Sequence, residues 1–260
     1  MAGRITTEKE GPLGFLIFDH PERRNAISSA MWRAIPDAVA KLTADDAVRV
    51  IVLRGAGDQA FVAGADISEF QSARTSTTSA DYEADNAAAF LSLTQAEKPV
   101  IAMIHGPCVG GGVALALTAD LRFASDDAIF AIPAARLGLG YPFGGVESLV
   151  QLVGPSVAKE MFFTARRFSA AEVLARGLLN EVRPKAELNA FVREAALRIA
   201  ENAPLTVRSI KIAVREIAKP PEARDYAAVT DSLAKCFASS DYQEGIAAFL
   251  EKRKPEFEGR

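Results

Sequence analysis

The sequence predicts an α/β core continued by a helical C-terminal third. Three observations carry this reading. Residues 48–53 (VRVIVL) and 100–104 (VIAMI) are nearly continuous apolar runs, the pattern of sheet strands covered on both faces. Helical patterns alternate with such runs up to residue 153, as in an α/β sheet. Beyond about residue 155 the strand-like runs stop and helical patterns succeed one another.

In chain order, strand-like runs fall at 13–20 (LGFLIFDH), 48–55 (VRVIVLRG), 99–106 (PVIAMIHG) and 121–133 (LRFASDDAIFAIP). Helical patterns lie at 28–43, 80–97, 111–118 and 145–153. Pro36 interrupts the first of these, which predicts a kink or break there. The polar stretch 71–79 (QSARTSTTS) is poor in large apolar residues and reads as a mobile loop. Further helices are expected at 155–165, 169–177, 187–202, 204–218, 222–238 and 241–252. Pro204 suits the first position of a helix, and Pro220-Pro221 marks that helix's end.

Composition narrows the function classes. The 260 residues are 49% hydrophobic, enough for a substantial core, and 30 basic against 33 acidic residues leave a net charge of −3. No basic footprint for nucleic acid is present. The two cysteines, Cys108 and Cys236, and the two histidines, His20 and His105, form no metal-ligand pattern, and Cys108 reads as a small buried thiol. No apolar run is long enough to cross a bilayer, and the N-terminus lacks a signal pattern. The expectation is a cytoplasmic protein with no metal, no nucleic acid and no membrane partner.

Two glycine-rich turns carry the chemistry. Residues 105–120 (HGPCVGGGVALALTAD) run from a strand through Gly110–Gly112 into a helix. The first N–H groups of a helix lack intrahelical partners and carry partial positive charge, and glycine lets a ligand atom come close. Such a turn suits an anion, a phosphate, or an oxygen that becomes negative during reaction; it also suits close packing of helix on strand. No Lys-Ser/Thr comes after it, and the G-x-G-x-x-G pattern is absent. Residues 55–70 (GAGDQAFVAGADISEF) repeat the theme, a strand run ending in Gly55, Gly57, Ala63, Gly64 and Ala65. Two such turns could each offer one N–H to a single oxygen, an oxyanion hole for thioester chemistry.

These segments resemble the crotonase superfamily, the enoyl-CoA hydratase/isomerase group. AFVAGADISEF resembles its first oxyanion segment and HGPCVGGGVALALTADLRFA its second. PERRNAIS (21–28) is similar to its early CoA-contacting stretch, residues 152–182 to its downstream helices, and EGIAAFLEKRKPEF (244–257) to its C-terminal helix. The resemblance implies a spiral of ββα units over residues 1–198, and a helical C-terminal region over 199–260 that builds a homotrimer or a dimer of trimers. It implies acyl-CoA substrates, with coenzyme A as part of the substrate and no separate cofactor. By motif position, Ala65 and Gly111 would be the oxyanion donors, and Ala65, Asp66, Ile67 and Ser68 would flank the pantetheine arm. Arg24 and Ala26 would meet the nucleotide end, and Phe249 and Lys252 would reach the CoA of a neighbouring subunit.

The sequence departs from that pattern where hydratases carry their two acid–base glutamates. The first position is Ala114, three residues beyond Gly111 on the same helix face, and the second is Ala134 in FAIPAAR. Positioned acid–base groups supply roughly two to four orders of magnitude in rate. Ordinary water addition is therefore not expected. Within 136–154, Tyr141 ranks first as a compensating group, since some decarboxylases of the superfamily carry a tyrosine in a similar place. Glu147 ranks second, with a solvent-facing carboxylate as its alternative. Asp66, His105 and Arg136 are further candidates; Asp66 reads equally as a helix cap, His105 as a strand end, and Arg136 as the partner of a substrate carboxylate or of a neighbouring acid. The readings are an acyl-CoA enzyme working through an oxyanion-stabilised enolate, a decarboxylase or hydrolase of the same fold, or a non-catalytic acyl-CoA binder.

Overall fold

The computed structural model describes residues 2–66 and 79–260. Ile67, Ser68 and residues 71–78 of the expected loop lie outside the described residues. The chain opens with β1 (Arg4–Glu10) and β2 (Leu13–Asp19), a 3-10 turn (Pro21–Arg23), α1 (Ser29–Ala44) and β3 (Val50–Gly55). Then come α2 (Ser79–Thr94), β4 (Val100–Ile104), β5 (Pro107–Val109), α3 (Gly111–Thr118), β6 (Leu121–Ser125) and β7 (Ile129–Ala131). A 3-10 turn (Pro133–Arg136) leads to α4 (Phe143–Thr164), β8 (Phe168–Ser169), α5 (Ala170–Ala175) and β9 (Glu181–Arg183). Helices α6 (Lys185–Ala200), α7 (Pro204–Ile217), α8 (Tyr226–Ala238) and α9 (Ser240–Glu251) close the chain.

One sheet has the order β1-β2-β3-β4-β6-β9, and a smaller one the order β5-β7-β8. In the larger sheet only the β1–β2 pair is antiparallel. Alternation along the strands explains why they read as unbroken apolar runs. Leu13, Phe15, Ile17, Val50, Val52, Ile101 and Met103 face α6, which presents Leu188, Val192 and Ala196 at helical spacing. Leu16, Phe18, Ile51, Leu53, Val100, Ala102 and Ile104 face the other core, with α1 and α3. Both faces are covered, so both parities are apolar.

The structure corrects several expectations. Helix α1 runs through Pro36 without a break. An interior proline costs about 3 kcal/mol. Burial of Met31, Trp32, Ile35, Val39 and Leu42 outweighs it, at roughly 1.5–3 kcal/mol for each large side chain. Strands do continue beyond residue 155, as β8 and β9, pieces of two and three residues that show no period of their own. β1, exposed along much of its length, has no apolar run to mark it as a strand. The two helices expected at 145–153 and 155–165 are both present within α4, joined at Gly154, where φ 77° and ψ 163° interrupt the helix ahead of Pro155. Among the described residues, no helix is long and apolar enough to cross a membrane.

Candidate active site

The site is built where two backbone segments run side by side. Residues 62 and 108 form a parallel bridge: Val62 N–H donates to Pro107 O (3.2 Å) and Val109 N–H to Val62 O (2.9 Å). Two residues past this bridge each segment reaches its glycine turn, Gly64-Ala65 on one and Gly110-Gly111 on the other. Glycine is required at the contact. A Cβ on Gly112 would lie 2.3 Å from Val62 O, and Gly64 has φ +119° with Val109 O 3.6 Å from where its Cβ would be.

On the other side, residues 63–66 are laced to the turn after β2. Ala63 N–H donates to Arg24 O (3.1 Å), Ile27 N–H to Gly64 O (2.8 Å) and Asp66 N–H to Ile27 O (2.8 Å). In this parallel bridge Gly64 and Asp66 bond Ile27, so the N–H of Ala65 points away from it. Gly111 is the first residue of α3, so its N–H has no intrahelical acceptor. Among the described residues, no protein acceptor takes either N–H. Beneath Gly111 lies Trp32 of α1: a Cβ on Gly111 would be 3.2 Å from the indole Cζ2. Trp32 donates to Tyr82 Oη (3.2 Å) and meets Phe90 edge-on at 5.3 Å, so α1 and α2 brace the N-terminus of α3.

Comparison with known proteins fits this geometry. A family model described as enoyl-CoA hydratase/isomerase matches residues 8–260. The chain belongs to the enoyl-CoA hydratase/isomerase family. It is 38% identical over 253 residues to the crotonyl-CoA hydratase of Syntrophomonas wolfei, covering 97% of each chain. It is 36% identical over 249 residues to the carnitinyl-CoA dehydratase of Proteus mirabilis, covering 94% of each. The crystal structure of an enoyl-CoA hydratase/carnithine racemase from Magnetospirillum magneticum superposes with a TM-score of 0.94 at 33% identity, over 98% of this chain and 96% of that one. The fold is crotonase-like.

Within this enoyl-CoA hydratase/isomerase framework the remaining candidates fall into two groups. Arg24 and Ala26 sit on the turn that laces residues 63–66. Arg24 is exposed in the left-handed region (φ 50°), while Ala26 is buried and its carbonyl accepts from His20 Nδ1–H at 3.0 Å. Asp66 is buried, and its carboxylate takes Arg23 Nη1 at 2.8 Å. The helix it is expected to cap lies outside the described residues. Ala114 is half-buried on α3 and Ala134 is buried on the turn after β7. Gly110 N–H donates to Ala131 O (2.9 Å), which ties that turn's strand to the start of α3. Neither alanine carries a proton-transfer group.

Tyr141 is half-buried and pinned. Its ring meets Phe162 edge-on at 4.9 Å and lies over Gly145, where a Cβ would be 2.9 Å from Cε1. Glu147 and Arg136 are solvent-exposed. Phe249 (83% exposed) and Lys252 lie at the end of α9, which packs on α8, so this single chain does not bring them to Ala65 and Gly111. His105 is buried with Nε2 lacking a hydrogen-bond partner among the described residues, and burial pulls its pKa down. Cys108 is fully buried between the two segments, and burial raises its thiol pKa far above the ordinary range.

Sequence reasoning missed three supporting residues. Arg23 lies 43 positions from its partner Asp66. Trp32 reads as one more core position of α1. Asn25 (φ 58°) had a signal, because asparagine tolerates the left-handed region. Its Oδ1 accepts from His20 N–H (3.1 Å), and its Nδ2 donates to Ala56 O (3.1 Å) and Ala60 O (2.8 Å).

Proposed function

We propose that this chain acts on an acyl-CoA thioester by holding its carbonyl oxygen between the N–H groups of Ala65 and Gly111. The observation that carries this is the bridge of residue 62 to residue 108, beside two N–H groups, those of Ala65 and Gly111, that have no protein acceptor among the described residues. As the Cα carbon gains electron density, negative charge moves onto the thioester oxygen. A well-placed donor in a water-excluded site contributes about 3–4 kcal/mol to that enolate, and the N-terminus of α3 adds its dipole.

The step after polarisation differs from two-carboxylate hydration. With Ala114 and Ala134 at the glutamate positions, no side chain there delivers water or a proton. Decarboxylation is the branch this favours, because loss of carbon dioxide leaves its electron pair on Cα and no base need remove a carbon-bound proton. The enolate then takes a proton from solvent, and the pinned Tyr141 is the group assigned to orient the leaving carboxylate. Arg24 and Ala26 are assigned to the nucleotide end of CoA, and Asp66, Ile67 and Ser68 to the pantetheine arm. The working form is a homotrimer or a dimer of trimers. Assembly is supported by the apolar face of the C-terminal helices, where Ile210, Val214, Ile217, Phe237, Phe249 and Leu250 stand exposed.

The test is a mass-spectrometric screen of the purified protein against saturated, 2-enoyl, 3-hydroxyacyl and malonyl-type CoA esters. The expected result is loss of carbon dioxide or release of CoA from a subset, with crotonyl-CoA hydrated slowly or not at all. Rapid hydration of crotonyl-CoA overturns this reading, and binding without turnover of any ester reduces the protein to an acyl-CoA binder.

A further inference from the structure

Among the interactions that hold the segment carrying Ala65 are backbone bonds and a side-chain ion pair with no part in the enolate chemistry itself. Asp66, directly after Ala65, is 8% exposed and accepts from Arg23 Nη1 at 2.8 Å, while Arg23 is half exposed on the turn before Asn25. Asn25 fixes that turn through three hydrogen bonds, to His20, Ala56 and Ala60. The same turn presents Arg24 and Ala26, and its residues 24 and 27 bond residues 63, 64 and 66.

We infer that Arg23 and Asp66 are a positioning pair that sets the aim of the Ala65 N–H and couples it to the turn bearing Arg24 and Ala26. The inference rests on the oxyanion reading. The N–H of Ala65 belongs to the Gly64–Ala65 peptide unit, whose carbonyl accepts from Ile27 N–H while Asp66 N–H donates to Ile27 O, so a rotation of the 64–66 backbone that displaces Asp66 pulls on this bridge and re-aims it. The Arg23 tether resists that rotation. With Arg23 removed, a nearly buried carboxylate has lost a cationic partner and gains by turning toward water. A half-exposed ion pair adds little to stability. A reacting group misplaced by 1 Å nonetheless costs about 10²-fold in rate. The pair therefore matters more to turnover than to folding. Binding at the nucleotide end then tightens the donor end, so that remote binding energy is used at the reacting atoms.

The experiment reads carbonyl polarisation directly. Butyryl-CoA labelled with carbon-13 at the thioester carbonyl is bound to the full chain, and its stretch is monitored by isotope-edited infrared spectroscopy. The unaltered protein lowers the stretch relative to the free ester. Arg23→Ala loses at least half of that shift, and turnover on the ester found in the screen falls by about 10-fold to 10²-fold with KM changed little. Arg23→Lys, which keeps a cationic donor in place, retains most of both. A full shift and full turnover in Arg23→Ala overturn the inference while leaving the oxyanion reading intact. Absence of binding or of any shift in the unaltered protein sinks the oxyanion reading itself. If Arg23→Ala does not fold, the pair is structural and the inference fails unless Arg23→Lys folds normally and shows a partial loss of the shift.

Discussion

Gly112→Ala tests the site through the contact that sets its width. The added Cβ would lie 2.3 Å from Val62 O and 3.0 Å from Val62 Cβ. Val62 O is backbone, already accepting from Val109 N–H, so no flexible side-chain end can give way. To reach ordinary contact the residue-62 segment must retreat by about 1 Å, carrying Ala65 away from Gly111. Overpacking of this kind costs ~1–3 kcal/mol, partly offset by up to ~1 kcal/mol from the better helix propensity of alanine. A domain with ~5–15 kcal/mol of stability stays folded. The rate suffers more, because a 1 Å error in placement costs about 10²-fold. Gly111→Ala is the control. Its Cβ meets only the Trp32 ring at 3.2 Å, needs a few tenths of an ångström, and keeps the N–H. Steady-state turnover on the ester found in the screen, with far-ultraviolet circular dichroism as the fold check, should rank Gly111→Ala well above Gly112→Ala. A folded Gly112→Ala with undiminished kcat, or the reverse ranking, refutes the reasoning.

Installing Ala114→Glu and Ala134→Glu together should raise hydration of crotonyl-CoA by roughly 10²–10⁴-fold, measured by loss of enoyl absorbance; no gain would mean these positions do not face the reacting carbons. Burial favours neutral His105 in the fold, aided by the positive charges of Lys185 and Arg54 and opposed by Asp58 and Asp127. The unfolded chain takes up a proton near pH 6.5, so this contribution to stability is complete above that pH and is lost as pH falls below it. His105→Leu should flatten the fall in urea midpoint between about pH 6.5 and 5, and an unchanged slope would remove His105 as its source. Asp241, buried in α9, accepts from Glu258 N–H (2.8 Å) and Gly259 N–H (2.9 Å). Asp241→Ala should cost ~1–3 kcal/mol by urea unfolding and speed amide exchange at residues 258 and 259, whereas unchanged exchange there would show the tail is held by other contacts.

The parts of this fold legible in the sequence are those whose signal is local. Both faces of β3 and β4 are buried, so their runs are unbroken, and within Gly110–Gly112 it is Gly112 that meets a close approach, to Val62 O. The small sheet is poorly legible for the opposite reason: only β7 falls in a strand-like run, that at 121–133. β5, β7 and β8 hold three, three and two residues, too few to show alternation, and their partners lie far along the chain. Pro36 misled because propensity is a local cost, while the burial that overrides it is set by a sheet built from later residues.

The site divides along the same line. Ala65 and Gly111 could be picked out one at a time from their glycine-rich turns. The proposed convergence of their N–H groups depends on residue 62 pairing with residue 108, and the proposed bracing of Ala65 on Arg23 meeting Asp66. Neither pairing leaves a periodic trace in the chain. The donor is the part that recurs locally in such a protein, and its aim is decided by a contact between distant segments. Ala114 and Ala134 sharpen the point: they change the chemistry expected of the site, yet as small residues they leave the paired backbones that frame it undisturbed. On the proposed reading, the chain keeps the carbonyl-holding backbone turns while the reaction carried out there is set by side chains those turns do not need.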